Sequence, residues 1–374
     1  MTTARAPTRL RLGGFDRPLL AAAGVLVAAG LVLSLAASPA IADRMQASGE
    51  FYFVWRHAAF AAAAVAACVA CALLSPTGVR RFGAVLFAVA LLLLLVTPLI
   101  GAEVKGAQRW IRLGAVGLQP SEFVKPGLVV AAAWMLSERL RSPGFPALRI
   151  VTALYAVCAV LLVAQPDIGQ TLLIGAMLAI LVFMAGVSWV WIVAAAAVGA
   201  VIFAAAYAGF PHVQARVDAF LHPGGPGYQV GRALEAIQSG GLLGRGPGEG
   251  VVKDRLPDAH ADFVYAVAAE EFGILASVGL VALYGVIVWR GLVRAARVVD
   301  PFAQIAAAGL FVLFGLQALV HVAVNLSLAP AKGMTLPLVS YGGSSMIGSG
   351  VTLGLALALV RARPGALLYE KDAT

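Results

Sequence analysis

Charged side chains are scarce in this sequence. Only 12% of its 374 residues are Asp, Glu, Lys or Arg, against about 25% in a typical soluble domain. Half the usual charge is too little to cover a water-facing surface, so the composition excludes an ordinary soluble protein. The hydrophobic share of 61% and the mean hydropathy of +0.91 indicate a polytopic membrane protein.

Acidic residues are rarer than basic ones. The chain has 18 Asp and Glu against 27 Lys and Arg, which gives a net charge of +9. In a soluble protein this excess would suggest a nucleic-acid partner. In a membrane protein, arginines in cytoplasmic loops account for it, because they fix the orientation of the spans. We therefore expect no nucleic-acid partner.

Cysteines and catalytic signatures are also few. The three cysteines, Cys68, Cys71 and Cys158, all lie within apolar runs. The spacing of Cys68 and Cys71 is that of a redox or metal pair, but neither charge nor histidine flanks it, so it predicts packing between helices. The sequence contains no H-E-x-x-H and no G-x-S-x-G. The glycine-rich stretch SGGLLGRGPGEG (239–250) lacks the phosphate-loop lysine and follows no predicted strand, so no nucleotide site is expected.

Long apolar runs dominate what is present. A membrane span needs about 20 mostly apolar residues. Such runs predict ten transmembrane helices near 19–40, 54–75, 82–101, 122–138, 147–165, 168–187, 189–209, 263–289, 302–327 and 339–361. The first run exceeds the apolar core of a signal peptide, about 7–15 residues, so we expect it to be retained.

The predicted architecture is one integral-membrane domain over residues 1–374, all-α and polytopic. Arginines in the second, fourth and eighth connections between the helices place both termini in the cytoplasm, with tails at 1–17 and 362–374. One long polar segment, 210–262, forms a large extracytoplasmic loop between helices seven and eight. Its length favours a functional segment over a simple connection.

Polar groups at membrane depth are costly and usually functional. The candidates are Glu122 with Lys125, Asp167, Asp262, Glu270 with Glu271, Lys332 and the stretch SYGGSS (340–345). Four of them have a structural alternative. Asp262 is also suited to capping the next helix, Glu122 and Lys125 to a simple ion pair, Asp167 to a turn or cap, and SYGGSS to close helix packing as well as to an anion nest.

These candidates are predicted to lie at the same depth, at the outer face of the membrane. Carboxylates beside Arg and Lys suit a general base next to a phosphorylated or diphosphate-linked amphiphile. A lipid flippase is the alternative of another class. It would line its path with polar groups through the whole membrane depth, whereas the inner half of this chain looks sparse, which favours an enzyme.

Five stretches in one order carry a family resemblance. GAQRWIRLG with LQPSEFVK, then QPDIGQT, GYQ, LPDAHADFVYAVAAEEFG and PAKGMTLPLVSYGGSS resemble the signature blocks of the SEDS proteins, the shape, elongation, division and sporulation glycosyltransferases. The blocks cover nearly the whole chain. Lys332 and Thr335 are more similar to the division branch than to the elongation branch. One departure is Ala261, where the family usually has threonine.

The resemblance implies a ten-helix SEDS fold and polymerisation of lipid II into glycan strands at the outer face of the bacterial inner membrane. It places the essential aspartate at Asp262. It also implies an undecaprenyl-linked glycan product, no cofactor other than an optional divalent cation without a dedicated protein cage, and a class B penicillin-binding protein as partner. The predicted substrate-binding residues are Arg109, Gln119, Ser121, Glu122, Lys125, His260, Lys332, Ser340, Tyr341 and Gly342.

Overall fold

A computed structural model describes residues 14–44, 49–104, 107–114, 116–210, 213–214, 218, 228–330 and 333–362. Within these ranges a long helix occupies each of the ten predicted positions, and one further helix lies in the predicted outer loop. The helices are α1 (Arg17–Arg44), α2 (Tyr52–Ala72), α3 (Pro76–Ile100), α4 (Ser121–Arg141), α5 (Ala147–Ala164), α6 (Ile168–Met184), α7 (Trp189–Gly209), α8 (Tyr228–Gly240), α9 (Val264–Ala295), α10 (Pro301–Asn325) and α11 (Gly343–Val360).

The all-α polytopic fold is confirmed. Eight helices of the described part are long and apolar enough to cross a membrane by length and composition. Of the other two predicted spans, α6 has only 17 residues, and α4 carries charged residues near both ends. The count of ten crossings, the loop boundaries 210–262 and the tails 1–17 and 362–374 stay predictions, and residues 1–13 and 363–374 lie outside the described ranges.

A small antiparallel sheet between α3 and α4 was not predicted. It contains β1 (Ala102–Val104), β2 (Ala107–Leu113) and β3 (Val116–Leu118), in the order β1-β2-β3. Gly114 makes the turn between β2 and β3 with a φ of +61°, a backbone conformation that glycine adopts without strain. The sheet carries Arg109 on its central strand, and so fixes the backbone of that predicted site residue.

Small residues hold α11 against α2. A Cβ added to Gly350 would lie 2.3 Å from the carbonyl oxygen of Ala64, and one added to Gly354 would lie 2.4 Å from that of Cys68. Such close approach is how helices associate in lipid, where apolar burial provides little drive. The packing prediction for the two α2 cysteines is confirmed, since Cys71 is buried and both thiols are free.

Helix α9 is broken at Gly273. This residue has a φ of +81°, and a Cβ there would lie 2.3 Å from the carbonyl oxygen of Leu242. The loop after α8 fills the break: the N–H of Arg245 donates to the carbonyl of Glu270 at 2.9 Å, and the N–H of Ile274 donates to that of Gly241 at 3.0 Å. The first half of α9, 264–272, is therefore a separate short helix that begins beside Asp262.

Two buried glutamates on this half-helix bind the glycine-rich loop. The carboxylate of Glu270 accepts the N–H groups of Val251, Val252 and Lys253, each at 2.8 Å. The carboxylate of Glu271 accepts those of Gly248 and Gly250 and the ammonium of Lys253. The N–H groups of this loop thus bind carboxylates of the same chain. This explains why the loop is rich in glycine although it lacks a phosphate-binding signature.

The C-terminal end of α9 forms ion pairs with Asp16, the residue that precedes α1. The carboxylate of Asp16 accepts hydrogen bonds from Arg290 at 2.7 and 3.0 Å and from Arg294 at 2.7 Å. The hydrogen bond from Arg290 is the main reason that the pKa of Asp16 lies well below its usual range. Both ends of α9 are therefore anchored, one beside Asp262 and the other at this cluster.

Candidate functional site

Asp262 lies in a tight turn immediately before α9. The N–H groups of Ala261 and Asp262 both donate to the carbonyl of Asp258, at 3.0 and 2.9 Å. The N-cap residue of α9 is Phe263, so Asp262 precedes the capping position. The alternative role of Asp262 as a cap of this helix stays a prediction.

Three consecutive carbonyl groups of this turn accept hydrogen bonds from residues outside the turn. The N–H of Tyr341 donates to the carbonyl of His260 at 2.9 Å, and the hydroxyl of Ser340 donates to that of Ala261 at 2.6 Å. The amide of Asn325, on α10, donates to the carbonyl of Asp262 at 3.2 Å. Ser340 and Tyr341, predicted to bind substrate, thus contact the backbone that carries Asp262.

The loop between α10 and α11 passes the carboxylate itself. A Cβ added to Gly333 would lie 3.5 Å from Oδ2 of Asp262. Lys332, the preceding residue in the sequence, lies outside the described residues. Its predicted role in substrate binding stays a prediction, and the position of Gly333 brings the described part of that loop to the site.

Aromatic rings surround His260 on the side of α2. Its ring centroid lies 4.9 Å from that of Tyr341 and 5.4 Å from that of Phe53. Burial raises the pKa of Tyr341, which keeps its hydroxyl neutral. Behind Tyr341 lies His57, buried on α2, and neither of its ring nitrogens has a hydrogen-bond partner within the described ranges. The predicted site residue His260 therefore stands at an apolar wall beside the Asp262 turn.

Glu122 and Lys125 form the predicted ion pair, fully buried in the protein. The ammonium nitrogen of Lys125 lies 2.9 Å from both carboxylate oxygens of Glu122 and 2.9 Å from Oε1 of Gln317 on α10. The side-chain amide of Gln170, on α6, donates to Glu122 at 3.0 Å. Since an ammonium has three donors, Lys125 has an internal acceptor for each of them.

Arg109 and Asp167 join the small sheet to the connection between α5 and α6. The guanidinium of Arg109 donates to the carbonyl of Gln165 at 3.0 Å and to that of Pro166, and it lies 3.9 Å from the carboxylate of Asp167. Asp167 is the N-cap of α6 and accepts the N–H of Gln170, which confirms the capping interpretation. Burial raises the pKa of Asp167, and Arg109 opposes that rise.

The remaining predicted residues line the start of α4 and α11. The N–H of Gln119 donates to the hydroxyl of Ser344 at 3.2 Å. Ser121 is buried, and its hydroxyl has no hydrogen-bond partner in the described part of the chain. Gly342 occupies the N-cap position of α11. The glycine that follows it packs against Phe60, which supports the close-packing interpretation of SYGGSS.

A polar stripe on α10 was missed by sequence reasoning. Gln317, His321 and Asn325 lie four residues apart on one buried face. Gln317 donates to the carbonyl of Thr335 at 3.3 Å, and Nδ1 of His321 lies 2.7 Å from the carbonyl of Met334. The i, i+4, i+8 spacing of polar residues in an apolar helix is the signal that could have found them.

Within the described residues, no group of three or more His, Cys, Asp and Glu side chains is placed to hold a metal ion. The chemical groups described at the site are a carboxylate at the Asp262 turn, the Glu122–Lys125 network and the neighbouring loop 333–341. Whether a divalent cation takes part stays a prediction.

Comparisons with known proteins identify relatives over nearly the whole chain. A probable peptidoglycan glycosyltransferase FtsW of Caulobacter vibrioides is 47% identical over 352 residues, covering 94% of this chain and 90% of the relative. One of Alkalilimnicola ehrlichii is 38% identical over 89% of this chain and 86% of the relative.

Solved structures share the fold. A structure described as showing coordination of polymerization and crosslinking by a peptidoglycan synthase complex matches with a TM-score of 0.75 and 28% identity, over 92% of this chain and 97% of its own. The rod shape determining protein RodA of Thermus thermophilus matches with a TM-score of 0.67 and 27% identity, over 94% and 98%. Since the family model for cell cycle proteins of the FtsW, RodA and SpoVE type also matches residues 17–364, the chain belongs to that family.

Proposed function

We infer that this protein is a peptidoglycan glycosyltransferase that polymerises lipid II into glycan strands during cell division. The relatives named FtsW support the activity and the division role, at up to 47% identity over nearly the whole chain. The observation that carries the site assignment is the turn 260–262, whose three carbonyls are fixed by three donors from outside it. Such a turn holds one carboxylate in a defined place.

Asp262 acts as the general base. It takes the proton from the sugar 4-hydroxyl of an acceptor lipid II, and that oxygen attacks the anomeric carbon of the lipid-linked donor. The bond from that carbon to the diphosphate breaks, and undecaprenyl diphosphate leaves with the bonding electron pair. One displacement converts an α-linked donor into a β-linked product, so no covalent enzyme intermediate is needed.

Cations near the turn stabilise the charge of the leaving diphosphate. Three were predicted for this task, but Arg109 and Lys125 already bind acceptors of the same chain. We therefore assign the first diphosphate contact to Lys332, which precedes Gly333 beside Asp262. Lysine serves phosphate as a point charge. Lys125 is paired with Glu122, and Arg109 lies beside Asp167. A divalent cation bound with the substrate would add positive charge at the diphosphate.

The protein is an integral protein of the bacterial inner membrane, and we place the Asp262 end at its periplasmic face, where lipid II is polymerised. Both termini then lie in the cytoplasm. The partner is a class B penicillin-binding protein of the FtsI type, which crosslinks the strands that this chain makes. The similar synthase complex, whose description couples polymerization to crosslinking, supports that assignment.

The decisive experiment is Asp262→Asn in the purified full-length protein. The substitution keeps the shape of the side chain and removes the base. General base catalysis typically contributes about 10²–10⁴-fold, so we expect polymerisation of lipid II, resolved on gels, to fall by that factor. Parallel measurement of lipid II translocation in vesicles tests the flippase alternative. Polymer formation by the variant at the wild-type rate would overturn the assignment.

A further inference from the structure

We propose that Arg56 of α2 binds the diphosphate of the acceptor lipid II, next to an aromatic wall that holds the sugars of that acceptor. The wall is formed by the rings of Phe53, Phe60, His260 and Tyr341. The proposal rests on the proposed function, in which Asp262 activates the acceptor hydroxyl. A polymerase that joins two lipid-linked substrates binds two diphosphates at once, and Lys332 serves only the one that leaves.

Arg56 is an oriented cation inside a membrane helix. It lies about one turn into α2, which begins at Tyr52, and charged side chains at such depth are costly and mark substrate paths. Its guanidinium donates to the hydroxyl of Tyr52 at 2.9 Å. The central carbon of the guanidinium lies 5.4 Å from the ring centroid of Tyr52 and 5.8 Å from that of Phe60. A hydroxyl and two rings orient this group without neutralising its charge, and the side chain is partly exposed.

The aromatic wall connects this cation to the Asp262 turn. The ring centroid of Tyr341 lies 6.1 Å from that of Phe60 and 4.9 Å from that of His260. The N–H of Tyr341 also donates to the carbonyl of His260, two residues before Asp262. Burial raises the pKa of Tyr341, and the charge of Arg56 opposes that rise. The guanidinium is therefore close enough to act on the hydroxyl of this ring.

The acceptor lipid II has a shape that fits this arrangement. Its reacting 4-hydroxyl is on the outer sugar, and its diphosphate is on the inner sugar, at the other end of the disaccharide. A cation for this diphosphate must therefore lie apart from the base, with the sugars between them. Arg56 contacts the Phe60 end of the wall, and Asp262 follows the His260 end. Aromatic rings suit the apolar C–H faces of sugars, and arginine binds phosphate oxygens with paired N–H groups.

Two substrate analogues separate acceptor binding from donor binding. Lipid II that is methylated on the 4-hydroxyl acts only as a donor. A lipid II analogue with a methylene group in place of the anomeric oxygen acts only as an acceptor, because its bond to the diphosphate does not break. Together they form a single tetrasaccharide product, so the KM of each is measured separately with the purified full-length protein.

The test is Arg56→Gln. We expect the KM of the acceptor-only analogue to rise about 10–100-fold, the range for a lost hydrogen bond to a charged group. The KM of the donor-only analogue and the turnover number should stay unchanged. Arg56→Lys keeps the charge without the paired donors, so its acceptor KM should lie between those of Arg56→Gln and the wild type.

Arg80→Gln is the matched control. Arg80 is also a partly exposed arginine beside an aromatic ring, with its guanidinium carbon 5.1 Å from the ring centroid of Trp134. It lies in the first turn of α3, away from the Asp262 turn, and its substitution should leave both KM values unchanged. A rise in the donor KM in Arg56→Gln, alone or equal to the rise in the acceptor KM, would overturn the proposal.

Calorimetric titration with the acceptor-only analogue tests binding without turnover. In the Asp262→Asn protein, adding Arg56→Gln should weaken binding by the same factor of about 10–100, and unchanged affinity would overturn the proposal. If Arg56→Gln lowers the Tm, Arg56→Lys decides instead, and wild-type affinity in that variant counts against paired phosphate contacts. A wild-type protein that binds the analogue but forms no product would overturn the proposed function, while the titration would still decide the role of Arg56.

Discussion

At the scale of single residues, the Glu122–Lys125 pair is costly to bury, because both of its side chains are charged. The two side chains are 4% and 2% exposed, and both also bind glutamines on other helices. Removing two charges from water costs several kcal/mol for each ion. Good geometry and full hydrogen bonding offset that loss, so the pair connects α4, α6 and α10 only while it is complete.

Breaking this pair should destabilise the protein more than removing it. Lys125→Met leaves the carboxylate of Glu122 buried without its cation, at a cost of about 3–5 kcal/mol. Adding Glu122→Leu should recover part of that loss, as measured by thermal unfolding in detergent. Glu235→Gln, in the exposed pair with Arg232, is the control and should change stability by less than about 1 kcal/mol. Additive losses from the two buried substitutions would show that the pair is not coupled.

At the scale of elements, the break in α9 is the feature that shapes the site. The half-helix 264–272 is held by the glycine-rich loop, whose N–H groups bind Glu270 and Glu271. Because the backbone groups freed at Gly273 are satisfied by the same loop, the break is stable although it lies in an apolar helix. The loop and the half-helix therefore form one unit.

Removing one carboxylate should loosen that unit. Glu270→Ala leaves three N–H groups of the loop without their acceptor. That of Lys253 is buried, and a buried unsatisfied group costs about 1–3 kcal/mol. We expect faster tryptic cleavage after Arg245, in the same loop, measured by mass spectrometry of the folded protein. Glu249→Ala is the control: it changes an exposed glutamate of this loop, and trypsin should cleave this variant at the wild-type rate. Equal cleavage rates for Glu270→Ala and the wild type would show that Glu270 does not hold the loop.

The elements differ in how far the sequence predicts them. A span of about 20 apolar residues is a local signal, so all ten long helices were predicted within a few residues. The Glu122–Lys125 pair and the Asp167 cap are equally local, since their partners lie three residues away or less. The break at Gly273 and the hydrogen bonds of Asn325 to Ala266 and Asp262 were not predicted, because each depends on a contact with a segment distant in sequence.

At the scale of the whole molecule, α9 connects the site to the opposite end of the bundle. It begins beside Asp262, bends at Gly273 and ends at the Asp16–Arg290–Arg294 cluster. Between these fixed points its outward face is uncovered: Leu275 is 61% exposed and Trp289 66%. A partner that packs along this face contacts an element that reaches from the Asp262 turn to the far end.

We therefore expect the transmembrane helix of a class B penicillin-binding protein to pack on α9. Gly279 and Gly285 lie on this outward face, and a Cβ added to either would meet no atom within 4 Å. Helix association in lipid depends on such small residues, so Gly279→Leu and Gly285→Leu should weaken both co-purification with the partner and its stimulation of polymerisation. The face of α2 that contains Ala64 and Cys68 is not available for this role, because α11 already covers it. Gly24→Leu is the matched control: this glycine of α1 is equally open, and its substitution should leave both measurements unchanged. Normal binding by the two α9 variants, with loss in the α1 variant, would place the partner on α1 instead.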